Sequence, residues 1–100
     1  MKVMISQPMR NKTEEQIRQE RQKLIEKIEK EGDTYIDTIF KQEPPANCDP
    51  GIYYLAKSIE ALSYADAIIF MEGWEKARGC IVEHEVALSY GKLLSYYKED

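Results

Sequence analysis

Residues 65–92 read ADAIIFMEGWEKARGCIVEHEVALSYGK, and the topology of the chain can be inferred from this segment. Asp66 precedes an apolar, β-branched run that is typical of a strand buried on both faces in a parallel sheet. A polar loop follows at residues 72–79, and the remainder has the apolar spacing of an amphipathic helix that ends at Gly91. In open α/β sheets, ligands bind outside the carboxyl ends of the strands. The predicted site is therefore this loop and the first turns of the helix, which include Glu83.

The rest of the chain continues this alternation of strands and helices. Thr13 and Gln16 form a capping-box pattern before a long amphipathic segment, and Asp49 is a good N-cap followed by proline. Such an alternation demands parallel strands joined by right-handed crossovers. We predict one α/β domain over residues 1–100, a flavodoxin-like or Rossmann-like three-layer sandwich with a four-stranded parallel sheet in the order 2-1-3-4. The predicted strands are residues 2–6, 34–39 (an edge strand with Asp37 partly exposed), 66–71 and 93–97, and the predicted helices are residues 13–31, 51–64 and 79–91.

Composition and charge limit the classes of function. The chain has 100 residues and a formal net charge of −4, with no basic stripe. Neither polymeric nucleic acid nor a membrane is therefore an expected partner. Cys48 and Cys80 have neither metal-motif spacing nor the density of a disulfide scaffold, and no signal peptide or long apolar segment is visible. We expect a cytoplasmic protein that uses no metal and no organic cofactor.

Two acidic residues are candidate catalytic groups. Glu83, in the first turns of a helix, would feel the positive end of the helix dipole, which favours an ionised carboxylate. An ionised carboxylate is what attack on an anomeric carbon requires, although a solvated glutamate at a helix start is the more common case. Asp66 would act as a general acid or hold a leaving base, and a simple turn residue before a buried strand is an equally good interpretation.

A second group of residues is suited to binding a substrate. Arg78 and Gly79 stand beside a helix N-terminus, where a phosphate or carboxylate binds well, although a surface ion pair would also explain Arg78. Ser6, Gln7 and Arg10 follow the first strand, and their loop lies close to the loop after the third strand in a parallel sheet. These residues would hold a sugar or a phosphate.

Two aromatic residues lie in the same region. Trp74 would either stack on a base or cover the core. His84 is the only histidine, and on a helix it points about 100° away from Glu83. For His84 we expect a structural role or a subunit contact.

Several motifs carry a resemblance that covers nearly the whole chain. They are ISQPM, the Leu-Ser-x-Ala-Asp-Ala step into the third strand, and GWEKARGCIVEHEVALSYGK. Together they resemble a family of short bacterial and phage proteins of unknown activity, which is similar to nucleoside 2-deoxyribosyltransferases. Those enzymes place a nucleophilic glutamate in the pattern Glu-x-x-x-Ala-x-x-x-Gly-Lys, and an aspartate enters their third strand, which Asp66 matches by position. The residues that match the glutamate pattern in register are Glu83, Ala87, Gly91 and Lys92.

The resemblance implies cleavage or transfer of the N-glycosidic bond of a small (deoxy)nucleoside or nucleotide. Glu83 would be the nucleophile and Asp66 the acid or base-orienting partner. The enzymes are homo-oligomers, so at least a dimer is expected, with the faces of the second and third helices in contact. The alternative is a nucleotide-binding module without turnover, a sensor or sequestering protein, which Met4 favours because the enzymes usually have a tyrosine there. The implied substrate-binding residues are Ser6, Gln7, Arg10, Trp74, Arg78 and Gly79.

Overall fold

The computed structural model describes residues 1–98, in which strands and helices alternate along the chain. The sheet is four-stranded and entirely parallel, in the order β2-β1-β3-β4. This is a three-layer architecture of the flavodoxin-like type, as the sequence predicts. The strands are β1 (Lys2–Ser6), β2 (Thr34–Ile36), β3 (Ala67–Met71) and β4 (Leu93–Tyr97), the helices are α1 (Glu14–Lys30), α2 (Pro50–Ser63) and α3 (Arg78–Ser89), and a 3₁₀ turn covers Trp74–Lys76.

The central strand β1 contributes to two separate cores. Successive side chains of a strand point to opposite faces of the sheet. Val3 and Ile5 therefore pack on one face against Leu24 and Ile28 of α1. Met4 packs on the other face, in a cluster formed with residues of α2, β3 and α3. The alternation of β1 thus separates the α1 layer from the layer of α2 and α3.

The edge strand β2 is shorter than the sequence predicts. It ends at Ile36, not at residue 39, so Asp37 lies just beyond the strand and is exposed. The side chain of Asp37 accepts a hydrogen bond from the backbone N–H of Ile39 at 2.9 Å, a local turn that competes with strand pairing. β2 pairs only with residues 2–4 of β1. The chain therefore diverges from the sheet beside the last residues of β1 and leaves a gap there.

The starts of α1 and α2 and the end of α3 follow the predicted capping chemistry. Thr13 and Gln16 form both hydrogen bonds of a capping box, and Asp49 accepts from the N–H of Ile52 at 3.2 Å. Gly91, with φ of 71°, ends the turn after α3 in a left-handed conformation that favours glycine. The start of α3 has no side-chain cap. Within residues 1–98, no helix is both long enough and apolar enough to cross a membrane.

Candidate functional site

A cleft of about 1040 Å³ opens at the carboxyl ends of β1 and β3. Its walls come from the loop after β1, the irregular segment after β2, the first turns of α2 and the start of α3. The early end of β2 creates this opening, because the chain leaves the sheet beside the last two residues of β1. Ligands of open parallel sheets bind at this edge, and the volume is at the upper end of the range for small-molecule sites.

Glu83 is the buried carboxylate of this cleft. Together with Cys80 and Ala87 it forms the buried stripe of α3, since residues three and four apart share a face of a helix. Only 7% of its surface is exposed. The buried Ser6, at the end of β1, donates a hydrogen bond of 2.6 Å from its hydroxyl to Oε1 of Glu83. The carboxylate is therefore held in one orientation at the junction of β1 and α3.

Burial raises the pKa of the Glu83 carboxyl group above its ordinary value. Three groups oppose this rise: the hydroxyl of Ser6, the positive charge of Arg21 and the hydroxyl of Ser58. The sequence predicts an ionised form favoured by the helix N-terminus, but Glu83 is the sixth residue of α3, beyond the first turn where that effect acts. Burial therefore dominates. Raised pKa values of cleft carboxyl groups are common at functional sites.

A buried guanidinium group lies behind the cleft. Arg21 of α1 has 0% exposure, and its Nε donates to Oε1 of Gln7 at 2.7 Å. Its Nη1 donates to the hydroxyl of Tyr35 at 2.6 Å and to that of Thr38 at 3.5 Å. Nη2 is buried and has no hydrogen-bond partner within residues 1–98. Buried arginines are usually paired with acids, whereas every hydrogen-bond partner of this one is neutral.

Gln7 is the residue that connects this guanidinium to the loop after β1. Its Oε1 accepts from Arg21, and its Nε2 donates to the carbonyl oxygen of Ile17 at 3.1 Å and to Glu20 at 2.8 Å. Gln7 lines the cleft as predicted, but both ends of its amide are engaged inside the protein. Gln7 thus positions other side chains, as Ser6 does for Glu83.

Three cations line the cleft, and two of them, Lys76 and Arg78, lie at the start of α3. Arg10, Lys76 and Arg78 are exposed, and the ion pairs within residues 1–98 include none of them. α3 starts after Ala77, whose methyl group leaves the first N–H groups without a side-chain acceptor. Gly79 adds no side chain there. Cations and free N–H groups together suit an anion, and of these residues only Lys76 is absent from the sequence prediction.

Asp66 does not lie in the cleft. It precedes β3, and the starts of parallel strands lie at the edge of the sheet opposite to their carboxyl ends. There its carboxylate accepts a hydrogen bond of 2.8 Å from the backbone N–H of Lys2, and its carbonyl oxygen accepts one from the N–H of Leu93 at 3.1 Å. Within one chain, the structure therefore separates Asp66 from Glu83. The observed contacts fit the interpretation of Asp66 as a turn residue that ties adjacent strands together.

Trp74 also lies outside the cleft lining. Its ring stacks on that of His84, with centroids 4.3 Å apart and planes 11° apart, and Phe70 packs against both rings. Nε2 of His84 lies 2.6 Å from the hydroxyl oxygen of Tyr96. These contacts fit the interpretation of Trp74 as a cover over the core, and they also fit a structural role for His84.

Cys80 faces the same buried region as Glu83. Burial raises the pKa of its thiol to about 11, so the thiol stays protonated and unreactive at neutral pH. Among the residues described, no three His, Cys, Asp or Glu side chains are grouped in a way that would hold a metal ion. Of the two ionisable groups on the buried face of α3, the carboxylate of Glu83 is therefore the candidate for chemistry.

Comparison with known protein families identifies the group to which this chain is related. The family described as "Domain of unknown function (DUF4406)" matches residues 1–96. Because the match covers almost the whole chain, the protein belongs to this family. A comparison with curated proteins gave no match.

Proposed function

We propose that this protein cleaves or transfers the N-glycosidic bond of a small (deoxy)nucleoside or nucleotide, with Glu83 as the nucleophile. The observation that carries the proposal is the buried carboxylate of Glu83, which lines the cleft and accepts a hydrogen bond of 2.6 Å from Ser6. A carboxylate held in one orientation inside a cleft that is large enough for a nucleoside is suited to attack on an anomeric carbon.

The proposed reaction has two displacements. In the first, Oε2 of Glu83 attacks, because Ser6 occupies Oε1. The bond from the anomeric carbon to the base nitrogen breaks, and the base leaves with the bonding electrons and takes up a proton. In the second, water or another base attacks the same carbon, loses a proton and releases the carboxylate. Glu14 and Asp49 also line the cleft and are candidates for these proton transfers in place of Asp66.

The glutamate pattern of the deoxyribosyltransferases supports the assignment to Glu83 in an indirect way. Ala87 is fully buried where α3 packs on the sheet, and Gly91 adopts the positive φ that follows α3. The ammonium group of Lys92 donates to the carbonyl oxygen of Ala65 at 2.7 Å. Three of the four residues of the pattern, Ala87, Gly91 and Lys92, thus help to pack α3 on the sheet or to form the turn that follows it. Glu83 is the remaining position, and it is the one with a chemical group facing the cleft.

The cleft lining supports a ligand with an apolar ring and an anionic group. Phe40, Tyr54 and Leu55 provide apolar and aromatic surface of the kind that nucleobases contact. The exposed cations Arg10 and Arg78 lie in the same lining and would attract a 5′-phosphate. We therefore propose a nucleoside monophosphate as the first ligand class to examine, in preference to a polymer.

The alternative proposal is a nucleotide-binding module that does not turn over its ligand. The raised pKa of Glu83 favours it, because burial reduces the ionised fraction of the proposed nucleophile at any given pH. Met4 provides no hydroxyl group to the carboxylate and is fully buried in the core. Ser6 provides a hydroxyl instead, which is the reason for ranking the enzyme first.

The first prediction tests this ranking with a panel of nucleosides and nucleoside monophosphates. Base release is measured by chromatography, and retained ligand by equilibrium dialysis, for the wild type and for Glu83→Gln. Glutamine preserves the volume and the acceptor for Ser6 but removes the attacking charge. We expect base release to fall by at least about a hundredfold while ligand affinity stays within about threefold.

The matched control is Glu85→Gln, which removes an exposed charge from the same helix and should leave both quantities unchanged. Equal, non-zero rates for the wild type and Glu83→Gln would mean that Glu83 is not the reacting group. Retention of intact ligand by the wild type, with no base released, would establish the binding module instead.

A further inference from the structure

Arg21 stands in a position where the sequence pattern predicts an apolar side chain. The buried face of α1 consists of Ile17, Arg21, Leu24 and Ile28, which follow the spacing of a core-facing stripe. A guanidinium group at 0% exposure with only neutral hydrogen-bond partners lowers stability relative to an apolar side chain of similar size. A charge that costs stability in this way calls for a functional explanation.

The contacts of Arg21 connect it to the residues that surround Glu83. Ser6 and Gln7 are consecutive at the end of β1: Ser6 donates to Glu83, and Gln7 accepts from Arg21. Thr38, whose hydroxyl lies 3.5 Å from Nη1 of Arg21, lines the cleft from the segment after β2. The guanidinium group is therefore anchored to two walls of the cleft that contains the carboxylate.

The positive charge of Arg21 also opposes the rise in the pKa of Glu83 that burial causes. Around this carboxylate, β1 contributes Ser6, α2 contributes Ser58 and α3 contributes Cys80, all of them uncharged at neutral pH. Of the basic residues described, Arg21 is the one whose charge lowers the pKa of Glu83. Beside Arg21 itself, burial raises the pKa of Tyr35, which keeps that phenol neutral. Among residues 1–98, no acidic side chain accepts a hydrogen bond from Arg21.

We propose that Arg21 is a positioning residue of the cleft: its buried guanidinium group fixes Gln7 and Thr38 and supplies the positive charge that keeps Glu83 available as a carboxylate. The catalytic consequence rests on the proposed function, in which Glu83 attacks as the ionised form. The electrostatic consequence does not depend on turnover, because it concerns the protonation of Glu83 in the protein without a ligand.

The experiment is a carbon-13 NMR titration of the Glu83 carboxyl group, assigned with the Glu83→Gln variant. Arg21→Met and Arg21→Gln remove the charge, and the midpoint of the Glu83 titration should move to higher pH in both. Arg21→Lys keeps a charge but loses the planar fork that holds Gln7 and Thr38, so its midpoint should lie between those of the wild type and Arg21→Met. Lys27→Met, which removes an exposed cation from the same helix, is the matched control and should titrate like the wild type.

A second readout uses the pH profile of kcat/KM for base release. On the acidic side of the profile, Arg21→Met should reduce kcat/KM by about three- to tenfold, whereas the plateau at higher pH should change little. A purely structural role would lower the whole profile equally. Circular dichroism checks that each variant is folded.

An unchanged Glu83 midpoint in folded Arg21→Met or Arg21→Gln overturns the proposal. If neither neutral variant folds, Arg21→Lys tests the positioning role alone, because lysine keeps the charge. A Glu83 midpoint identical to that of the wild type would then overturn the role of the planar guanidinium group in the proposal. If the wild type releases no base from any nucleoside, the proposed function fails, and the titration still determines the role of Arg21.

Discussion

Glu83 carries an ionisable group into a region where only 7% of its surface meets solvent. In the unfolded chain this carboxyl group has an ordinary pKa of 4.5, and folding raises it, mainly through burial. The folded state therefore holds the proton more tightly than the unfolded state. Below the ordinary pKa both states are protonated and the charge has no effect on stability. As the pH rises from there through the raised pKa, ionisation favours the unfolded state and stability is lost.

This linkage predicts a pH-dependent gain in stability for Glu83→Gln. At neutral pH the variant should have a larger free energy of unfolding than the wild type, and the difference should vanish near and below the ordinary pKa of 4.5. Urea unfolding at a series of pH values from about 4 to about 8 measures it, with Glu85→Gln as the exposed control. A variant less stable than the wild type at neutral pH would show that Ser6, Ser58 and Arg21 together outweigh burial.

The two cysteines should differ sharply in reactivity. Burial raises the pKa of the Cys80 thiol to about 11, whereas Cys48 lies in the irregular segment before α2 and is only half-buried. Because the thiolate is the reactive form, iodoacetamide at mildly alkaline pH should label Cys48 in the folded protein and both cysteines in urea. Mass spectrometry of the labelled peptides distinguishes them. Rapid labelling of Cys80 in folded Cys48→Ser would contradict the burial of this thiol.

At the scale of elements, local patterns predict the strands and helices well because capping and apolar spacing are local. The capping box of α1 and the apolar run of β3 are examples. The end of β2 is set by a competing hydrogen bond from the N–H of Ile39 to the side chain of Asp37. This end is difficult to predict, because the β-branched residues continue past it and favour a longer strand. Arg21 is hidden for a related reason, since a cation within an apolar stripe looks like an interruption of the pattern.

The position of Asp66 is predicted by the direction of its strand and not by the local spacing of residues. In a parallel sheet, a residue that precedes a strand lies at the edge opposite to one that follows it. Ser6 follows β1 and reaches Glu83, whereas Asp66 precedes β3 and contacts the backbone of Lys2. Once the sheet is known to be parallel, the order of residues along the chain is sufficient to place Asp66 and Glu83 at opposite edges. The bond between Ser6 and Glu83 spans 77 residues of sequence and could not be predicted from local spacing.

The uncapped start of α3 leads to a prediction about ligand charge. Arg78→Ala removes one of the exposed cations that lie in the cleft lining beside free N–H groups. A charge-assisted hydrogen bond to phosphate is worth about 1.5–3 kcal/mol, or about ten- to hundredfold in Kd. We therefore expect Arg78→Ala to weaken nucleoside monophosphates by this factor and nucleosides by much less, as measured by titration calorimetry.

Lys30→Ala is the control for Arg78→Ala, because it removes an exposed cation from the far end of α1. It should leave the affinity for both ligand classes unchanged. An equal loss of affinity for nucleosides and monophosphates in Arg78→Ala would place the phosphate elsewhere and would indicate that Arg78 contacts the base or sugar.

At the scale of the whole molecule, the cleft joins the two layers that the sheet otherwise separates. Arg21 belongs to the α1 layer and Glu83 to the layer of α2 and α3, and the end of β1 connects them through adjacent residues. The short β2 leaves this end of β1 open on one side. The site therefore depends on the three-layer arrangement as a whole, and neither half of the sandwich could form it alone.

The outer face of α3 predicts self-association. Ile81 and Leu88, seven residues apart on one helical face, are 47% and 60% exposed, and Ile52 at the start of α2 is 66% exposed. We expect at least a dimer at micromolar concentration, with these faces buried between chains. Light scattering measures the mass of the wild type and of the double variant Ile81→Lys with Leu88→Lys, which should be monomeric but folded. Leu93→Lys, on the exposed edge strand β4, is the control and should remain associated. A monomeric wild type would contradict the prediction, and dissociation by Leu93→Lys alone would move the interface to the edge of the sheet.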